Sequence, residues 1–239
     1  MVFLLHKATQ VTTSVPAPGA DPTPWLTQAY AYPDADTPVL RVNFIATVDG
    51  AASVDGRSGG LGGDGDRLIF GVLRSLADAV IVGARTAVAE NYHAPDVGVL
   101  YLVSASLSIP TDYETLRSPR VVVVTSTTAD PDRRATLTEA GATIVDCGTD
   151  GVDMATLIAH CRARGQLKLL CEGGPSLFAT LLADDLVDEL CLTTAPLLAA
   201  GDGPRIAHGA NAIDAKRVRL TQLLGDDDGY LYARWERRA

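Results

Sequence analysis

The chain has 239 residues, 47% of them hydrophobic, and a formal net charge of −9. That length suits one large α/β domain or two small ones, and the acidic balance argues against a nucleic-acid surface, which would be basic. The four cysteines (Cys147, Cys161, Cys171, Cys191) form no C-x-x-C pair, and no apolar run approaches ~18 residues, so the composition predicts buried free thiols in a soluble, cytoplasmic protein with no membrane partner and no metal site.

Residues 1–38 carry Pro16, Pro18, Pro22, Pro24, Pro33 and Pro38 with little periodicity, and read as an extended N-terminal arm that Trp25, Leu26, Tyr30 and Tyr32 pin to the core. Residues 39–239 read as one domain. Val39 to Thr47 predicts a strand, followed by a Gly/Asp-rich loop to about Asp66. That loop holds Gly60-Leu61-Gly62-Gly63-Asp64-Gly65, a formal G-x-G-x-x-G, but it does not follow a strand directly and reads as a mobile loop, not a dinucleotide turn. A helix is expected from Arg67 to Leu76 and a buried strand from Ala79 to Val82. Gly83-Ala84-Arg85-Thr86 then turns into a short helix ending at Glu90-Asn91-Tyr92.

Further strands are expected at Val97–Ser104, Arg120–Thr125 and Ala142–Asp146, with helices at Pro131–Ala140, capped by Asp130, and Val152–Arg164, capped near Asp150. Leu167 to Cys171 is a short continuous apolar run, the signature of a strand buried on both faces. Glu172-Gly173-Gly174-Pro175 follows, and a helical pattern starts at Ser176. Paired glycines allow a ligand close to the backbone, and a helix N-terminus offers free N–H groups, so this turn suits a pyrophosphate. Leu186 to Thr194 predicts a strand, and Lys216–Leu224 with Tyr230–Arg237 a closing hairpin. Strands alternating with helices imply a mostly parallel central sheet with helices on both faces, and the hairpin adds an antiparallel edge.

Three motifs stand in order: Phe44-Ile45-Ala46-Thr47-Val48-Asp49-Gly50; Leu76-Ala77-Asp78 through Gly83-Ala84-Arg85-Thr86 to Glu90-Asn91; and Glu172-Gly173-Gly174-Pro175 with Leu186–Leu190 and Pro196-Leu197-Leu198. Together they resemble the reductase domain of the bifunctional riboflavin-pathway deaminase/reductase, over about residues 39–236. The resemblance implies a dihydrofolate-reductase-like fold and NADPH as hydride donor. Ala46 and Thr47 would lie near the nicotinamide, and Gly83, Ala84, Thr86, Gly173, Gly174, Ser176 and Leu177 along the phosphates. Thr125 and Ser126 would lie near the adenosine and its 2′-phosphate. On the substrate side it implies Asp49, Arg74, Glu90 and Glu172, with Glu172 and Glu90 as the candidates for holding a heterocycle edge or delivering a proton.

The chain departs from the family pattern at two points. Tyr92 stands where a proline is usual after the acidic residue, with no arginine following, and Ser58-Gly59-Gly60-Leu61 replaces the usual serine–aromatic pair. The zinc-deaminase signature, H-x-E with P-C-x-x-C, is absent from the sequence, so the chain is expected to lack the deaminase half. The activity implied is reduction of a small pyrimidine- or pterin-like heterocycle, ribosylaminouracil phosphate or dihydrofolate. A cofactor-sensing binder and an oxidoreductase for an unrelated substrate are the competing readings. A homodimer is expected, using the apolar strand Leu190–Thr194 and the edge hairpin.

Overall fold

The apolar runs become the centre of one ten-stranded sheet. The computed structural model describes residues 2–7, 19–209 and 212–238. Its strands are β1 (Val2–Lys7), β2 (Val39–Thr47), β3 (Ala79–Gly83), β4 (Val99–Val103), β5 (Val121–Thr125), β6 (Thr143–Asp146), β7 (Lys168–Cys171), β8 (Glu189–Ala195), β9 (Val218–Asp226) and β10 (Leu231–Arg237). The sheet order is β1-β9-β10-β8-β2-β7-β3-β4-β5-β6. From β8 to β6 every pairing is parallel, while β10, β9 and β1 continue the sheet antiparallel beyond β8.

Six helices connect these strands: α1 (Thr23–Ala29), α2 (Asp64–Leu76), α3 (Ala84–Ala89), α4 (Pro131–Glu139), α5 (Met154–Ala163) and α6 (Pro175–Ala183). They divide the core into two layers, because parallel strands need cover on both faces. On one face α1, α2, α3 and α4 pack over Val80, Val82, Leu100, Leu102 and Leu170. On the other, α5 and α6 pack over Leu40, Val42, Ile81, Leu169 and Cys171. Asp130 caps α4 as expected, accepting from the N–H groups of Asp132 and Arg133. The cap of α5 is Asp153, three residues after the expected Asp150, and it accepts from Thr156 N–H at 2.6 Å.

Three expectations are corrected. The arm is not simply extended: β1 pairs with β9, and Thr23–Ala29 is a helix. Its four aromatic and aliphatic anchors, Trp25, Leu26, Tyr30 and Tyr32, are all buried. Pro16 and Pro18 lie outside the described residues. The C-terminal hairpin is not the sheet edge, because β10 lies between β8 and β9 and β1 closes the outer side of β9. Helix α2 starts at Asp64, three residues earlier than expected, and so absorbs Gly65 from the glycine run. All four cysteines are buried and free. Burial pushes the thiol of Cys171 up to about 12 and those of Cys161 and Cys191 to about 11.

Candidate active site

The carboxyl ends of β3 and β7 are joined by two backbone bonds. Glu172 N–H donates to Ile81 O at 3.0 Å, and Gly83 N–H donates to Gly173 O at 2.7 Å. Gly173 has φ +79, and the Gly173–Gly174 peptide bond is cis. Both glycines are forced by close approach: a Cβ on Gly173 would collide with the Phe44 ring, and one on Gly174 would fall 2.5 Å from Thr86 Oγ1. The turn thus draws β2, β3, α3 and α6 together at one edge of the sheet, where ligands of open α/β sheets bind.

Several features at this edge fit a dinucleotide. Helix α6 starts at Pro175 with Gly174 as N-cap and no side-chain cap, which leaves its first N–H groups available to an anion. Gly83, Ala84 and Thr86 sit opposite, at the start of α3. Ala46 and Thr47 end β2 and are buried. Thr125 and Ser126, at the end of β5, are buried too, and Thr125 Oγ1 has no hydrogen-bond partner. An orphaned buried hydroxyl is costly unless a ligand or water completes it. The Thr125–Thr128 run itself holds no arginine. The fold brings Arg134 there from α4, its Nη2 donating to Ser126 O at 2.9 Å and to Asp146 Oδ1 at 2.6 Å. That pairing spans eight and twelve residues across a helix and left no local signal.

The structure brings two of the four substrate-side candidates into direct contact. Arg74 on α2 grips Glu172 bidentately, with Nε to Oε1 at 2.8 Å and Nη2 to Oε2 at 2.7 Å. The guanidinium also lies against the rings of Phe70 and Tyr92, at 4.3 Å and 4.6 Å from their centroids. Tyr92, at the position where a proline is usual, therefore serves as one wall for Arg74. Burial, then the negative charge of Glu172, pushes its phenol well above the usual value.

The other two candidates hold loops. Glu90 Oε1 accepts from Ser58 N–H at 2.6 Å and from Ser58 Oγ at 3.0 Å, tethering the glycine-rich loop to the end of α3. Asp49 accepts from the Thr47 hydroxyl through a very short hydrogen bond, and from the N–H groups of Ala200 at 2.7 Å and Ala199 at 3.1 Å. The Thr47 hydroxyl first, and then the Ala200 and Ala199 N–H groups, hold its carboxyl down at about 2.

Residues 38–232 match the RibD C-terminal domain family. The chain belongs to the RibD C-terminal domain family. It is 30% identical over 207 residues to the 2,5-diamino-6-ribosylamino-4(3H)-pyrimidinone 5′-phosphate reductase of Methanothermobacter thermautotrophicus, covering 80% of this chain and 95% of that one. Among solved structures, a pyrimidine reductase-like protein from Corynebacterium diphtheriae superposes with TM-score 0.81 at 25% identity, over 91% of this chain and 99% of its own. Acinetobacter baumannii RibD shares the fold, with TM-score 0.69 at 20% identity, over 84% of this chain and 58% of its own. The match bears out the resemblance to a riboflavin-pathway reductase domain, and the pyrimidine reductase-like structure shares the fold. No helix among the described residues is long and apolar enough to cross a membrane.

Proposed function

We propose that this protein is an NADPH-dependent reductase of a ribosylaminopyrimidine phosphate. The observation that carries the reading is the joined end of β3 and β7, where the Gly83–Gly173 bond and the uncapped α6 N-terminus form a cradle for a pyrophosphate beside the Arg74–Glu172 pair. The nicotinamide, when bound, supplies the hydride. Ala46 and Thr47 present the end of β2 to it, and Ser176 and Leu177 offer backbone N–H groups to the phosphates. Thr125, Ser126 and Arg134 stand where a 2′-phosphate would be met, which supports NADPH over NADH. Arg74, fixed by Glu172 and two rings, keeps its side chain 28% exposed and can present positive charge to an anionic substrate without rearranging. Glu172 sets the direction of that charge, and Glu90 holds the loop that borders it.

The test is NADPH oxidation with 2,5-diamino-6-ribosylamino-4(3H)-pyrimidinone 5′-phosphate, its deaminated uracil counterpart and dihydrofolate. Turnover of a ribosylaminopyrimidine phosphate is expected. Turnover of dihydrofolate alone would move the substrate to the pterins, and cofactor binding without any turnover would leave a sensor.

We also infer a cytoplasmic homodimer. With β1 closing the strand edge, pairing would use a sheet face instead. Leu190 and Leu192 of β8, Leu220 and Leu223 of β9, and Ala233 and Trp235 of β10 stand opposite one another in register and are only half-buried. A monomeric mass by light scattering at micromolar concentration would overturn this.

A further inference from the structure

Several arginines near the carboxyl ends of the strands are paired: Arg67 with Asp64, Arg74 with Glu172 and Arg134 with Asp146. Arg57 is not. It is exposed, and among the described residues its side chain makes no hydrogen bond and no ion pair. The chain carries a net charge of −9, and Asp55 stands two residues away, so carboxylates are not in short supply. The backbone of Arg57 is nevertheless fixed. Val54 and Arg57 exchange two hydrogen bonds, at 3.0 and 3.1 Å, across a tight turn in which Asp55 and Gly56 both have positive φ. Ser58, the next residue, is held by Glu90 through its N–H at 2.6 Å and its hydroxyl at 3.0 Å.

These contacts put Arg57 at the corner where α3 ends. Glu90 follows α3 directly, and Tyr92, two residues on, is one wall of Arg74. Arg57 and Arg74 therefore border one corner of the cleft from two sides. The other side of the Val54–Arg57 turn faces a cavity of about 380 Å³ lined by Asp55, Asp202 and the Ala199–Ala200 segment. Two carboxylates make that side unsuited to an anion. At the corner the charges fall out differently. The Arg74–Glu172 pair is neutral as a whole, so without Arg57 the Glu90 carboxylate would leave one excess negative charge there. Arg57 cancels it and leaves a guanidinium fork free. Arg85 and Arg205 are also exposed and without a partner. Arg85 lies between Gly83 and Thr86, in the turn assigned above to the cofactor. Arg205 follows Pro204, which lines the cavity and whose carbonyl accepts from Ala52 N–H at 2.8 Å.

We propose that Arg57 grips the phosphate of the substrate, with Arg74 holding a second edge, and so sets a preference for a phosphorylated over an unphosphorylated ribosylaminopyrimidine. This rests on the reductase reading above and names the residue that reads the anionic end of its substrate. A guanidinium meets phosphate oxygens through two parallel N–H···O bonds, which the ammonium of a lysine does not reproduce. The turn is already fixed by its own backbone pair and by Glu90, so Arg57 gives up only side-chain freedom on binding. A phosphate remote from the reacting ring is held alike in the ground and transition states, so the contact acts on affinity and not on the hydride step.

Calorimetric titration with the ribosylaminopyrimidine phosphate that turns over best, or binds best, in the assay above and with its dephosphorylated form tests this. The wild type is expected to bind the phosphorylated form about tenfold or more tightly. Arg57→Ala should lose most of that advantage, with the affinity for the dephosphorylated form and the melting temperature unchanged, because the side chain touches nothing else. Arg57→Lys should keep part of it. Arg205→Ala, which removes an equally free arginine from the cavity side, should keep all of it. In turnover the loss should fall on KM, with kcat within about twofold. NADPH affinity, read by cofactor fluorescence, should also hold within about twofold in Arg57→Ala; a fall there instead would give Arg57 to the cofactor and overturn the proposal. A wild type without preference, an Arg57→Ala variant that keeps it, or an Arg205→Ala variant that loses as much would overturn it too. Phosphate-dependent binding that Arg57→Ala abolishes, without NADPH oxidation, would leave the proposal standing and remove the reductase reading. NADPH oxidation with a phosphate preference that Arg57→Ala leaves intact would do the reverse.

Discussion

Two arginine–carboxylate pairs sit at opposite ends of the same sheet, each against a tyrosine ring. At the amino end, Arg41 of β2 donates from Nε to Glu189 Oε2 at 2.7 Å and from Nη1 to Tyr30 O at 2.8 Å, with its guanidinium 4.1 Å from the Tyr32 ring centroid. Its Nη2 also lies 2.7 Å from Glu189 Oε2, at an angle that makes no hydrogen bond. At the carboxyl end, Arg74 meets Glu172, Phe70 and Tyr92. The side chains of the first pair are 0% and 8% exposed, and those of the second 28% and 2%. The sealed pair fastens the arm to the sheet, since Tyr30 and Tyr32 both belong to residues 19–38. The open pair fixes a charge at the rim of a cleft. One chemistry serves as a rivet where the protein closes over it and as a poised group where it does not.

Breaking the sealed pair should give the largest loss of stability. Arg41→Ala leaves Glu189 buried and uncompensated, and is expected to cost about 3–5 kcal/mol in denaturant unfolding. Arg41→Met with Glu189→Leu should recover most of that loss. If the double variant is as unstable as the single one, desolvation is not the reason for the cost.

Glu172→Gln attacks the open pair. We expect kcat/KM to fall ~10-fold or more, with NADPH affinity within a few-fold of wild type and a stability loss of only about 1–3 kcal/mol. Normal turnover with a clear drop in melting temperature would withdraw Glu172 from the site and make the two pairs alike.

Tyr92→Leu removes one ring from the Arg74 guanidinium and keeps an apolar wall. The expected cost is about 0.5–1 kcal/mol of stability with a few-fold rise in KM for a phosphorylated substrate. An unchanged KM would detach Arg74 from substrate binding.

The smallest effect belongs to Asp49, which lies outside both pairs. Its carboxyl is held at about 2, so its contribution is present above the ordinary carboxylate range and is lost as pH falls toward 2. Melting temperature followed from pH 5 to pH 2 should fall more steeply for wild type than for Asp49→Asn. Parallel curves would contradict the loop-anchoring role.

The fold was legible where burial writes itself into consecutive residues. Leu167–Cys171 and Val121–Val124 are covered on both faces, and a strand so covered has little choice but an apolar run. Helix α1 was not legible, because its seven residues are flanked by prolines and only Trp25, Leu26 and Ala29 face inward. The glycine turn was legible because close approach to Phe44 and Thr86 leaves few alternatives to glycine. The pairing of Arg74 with Glu172 was not, since 98 residues separate them and each reads alone as an ordinary charge.

The four cysteines give the chain a gauge of its own breathing. None of their thiols reaches the surface, and burial suppresses the reactive thiolate as well. A thiol-directed reagent therefore waits for the structure to open before it can label anything. Cys171 and Cys191 lie on the two strands that flank β2, so their labelling rate reports how often the middle of the sheet parts. Cys147 and Cys161, next to β6 and on α5, report the far side. Comparing the two rates with and without ligand would map where binding stills the molecule, with no label introduced.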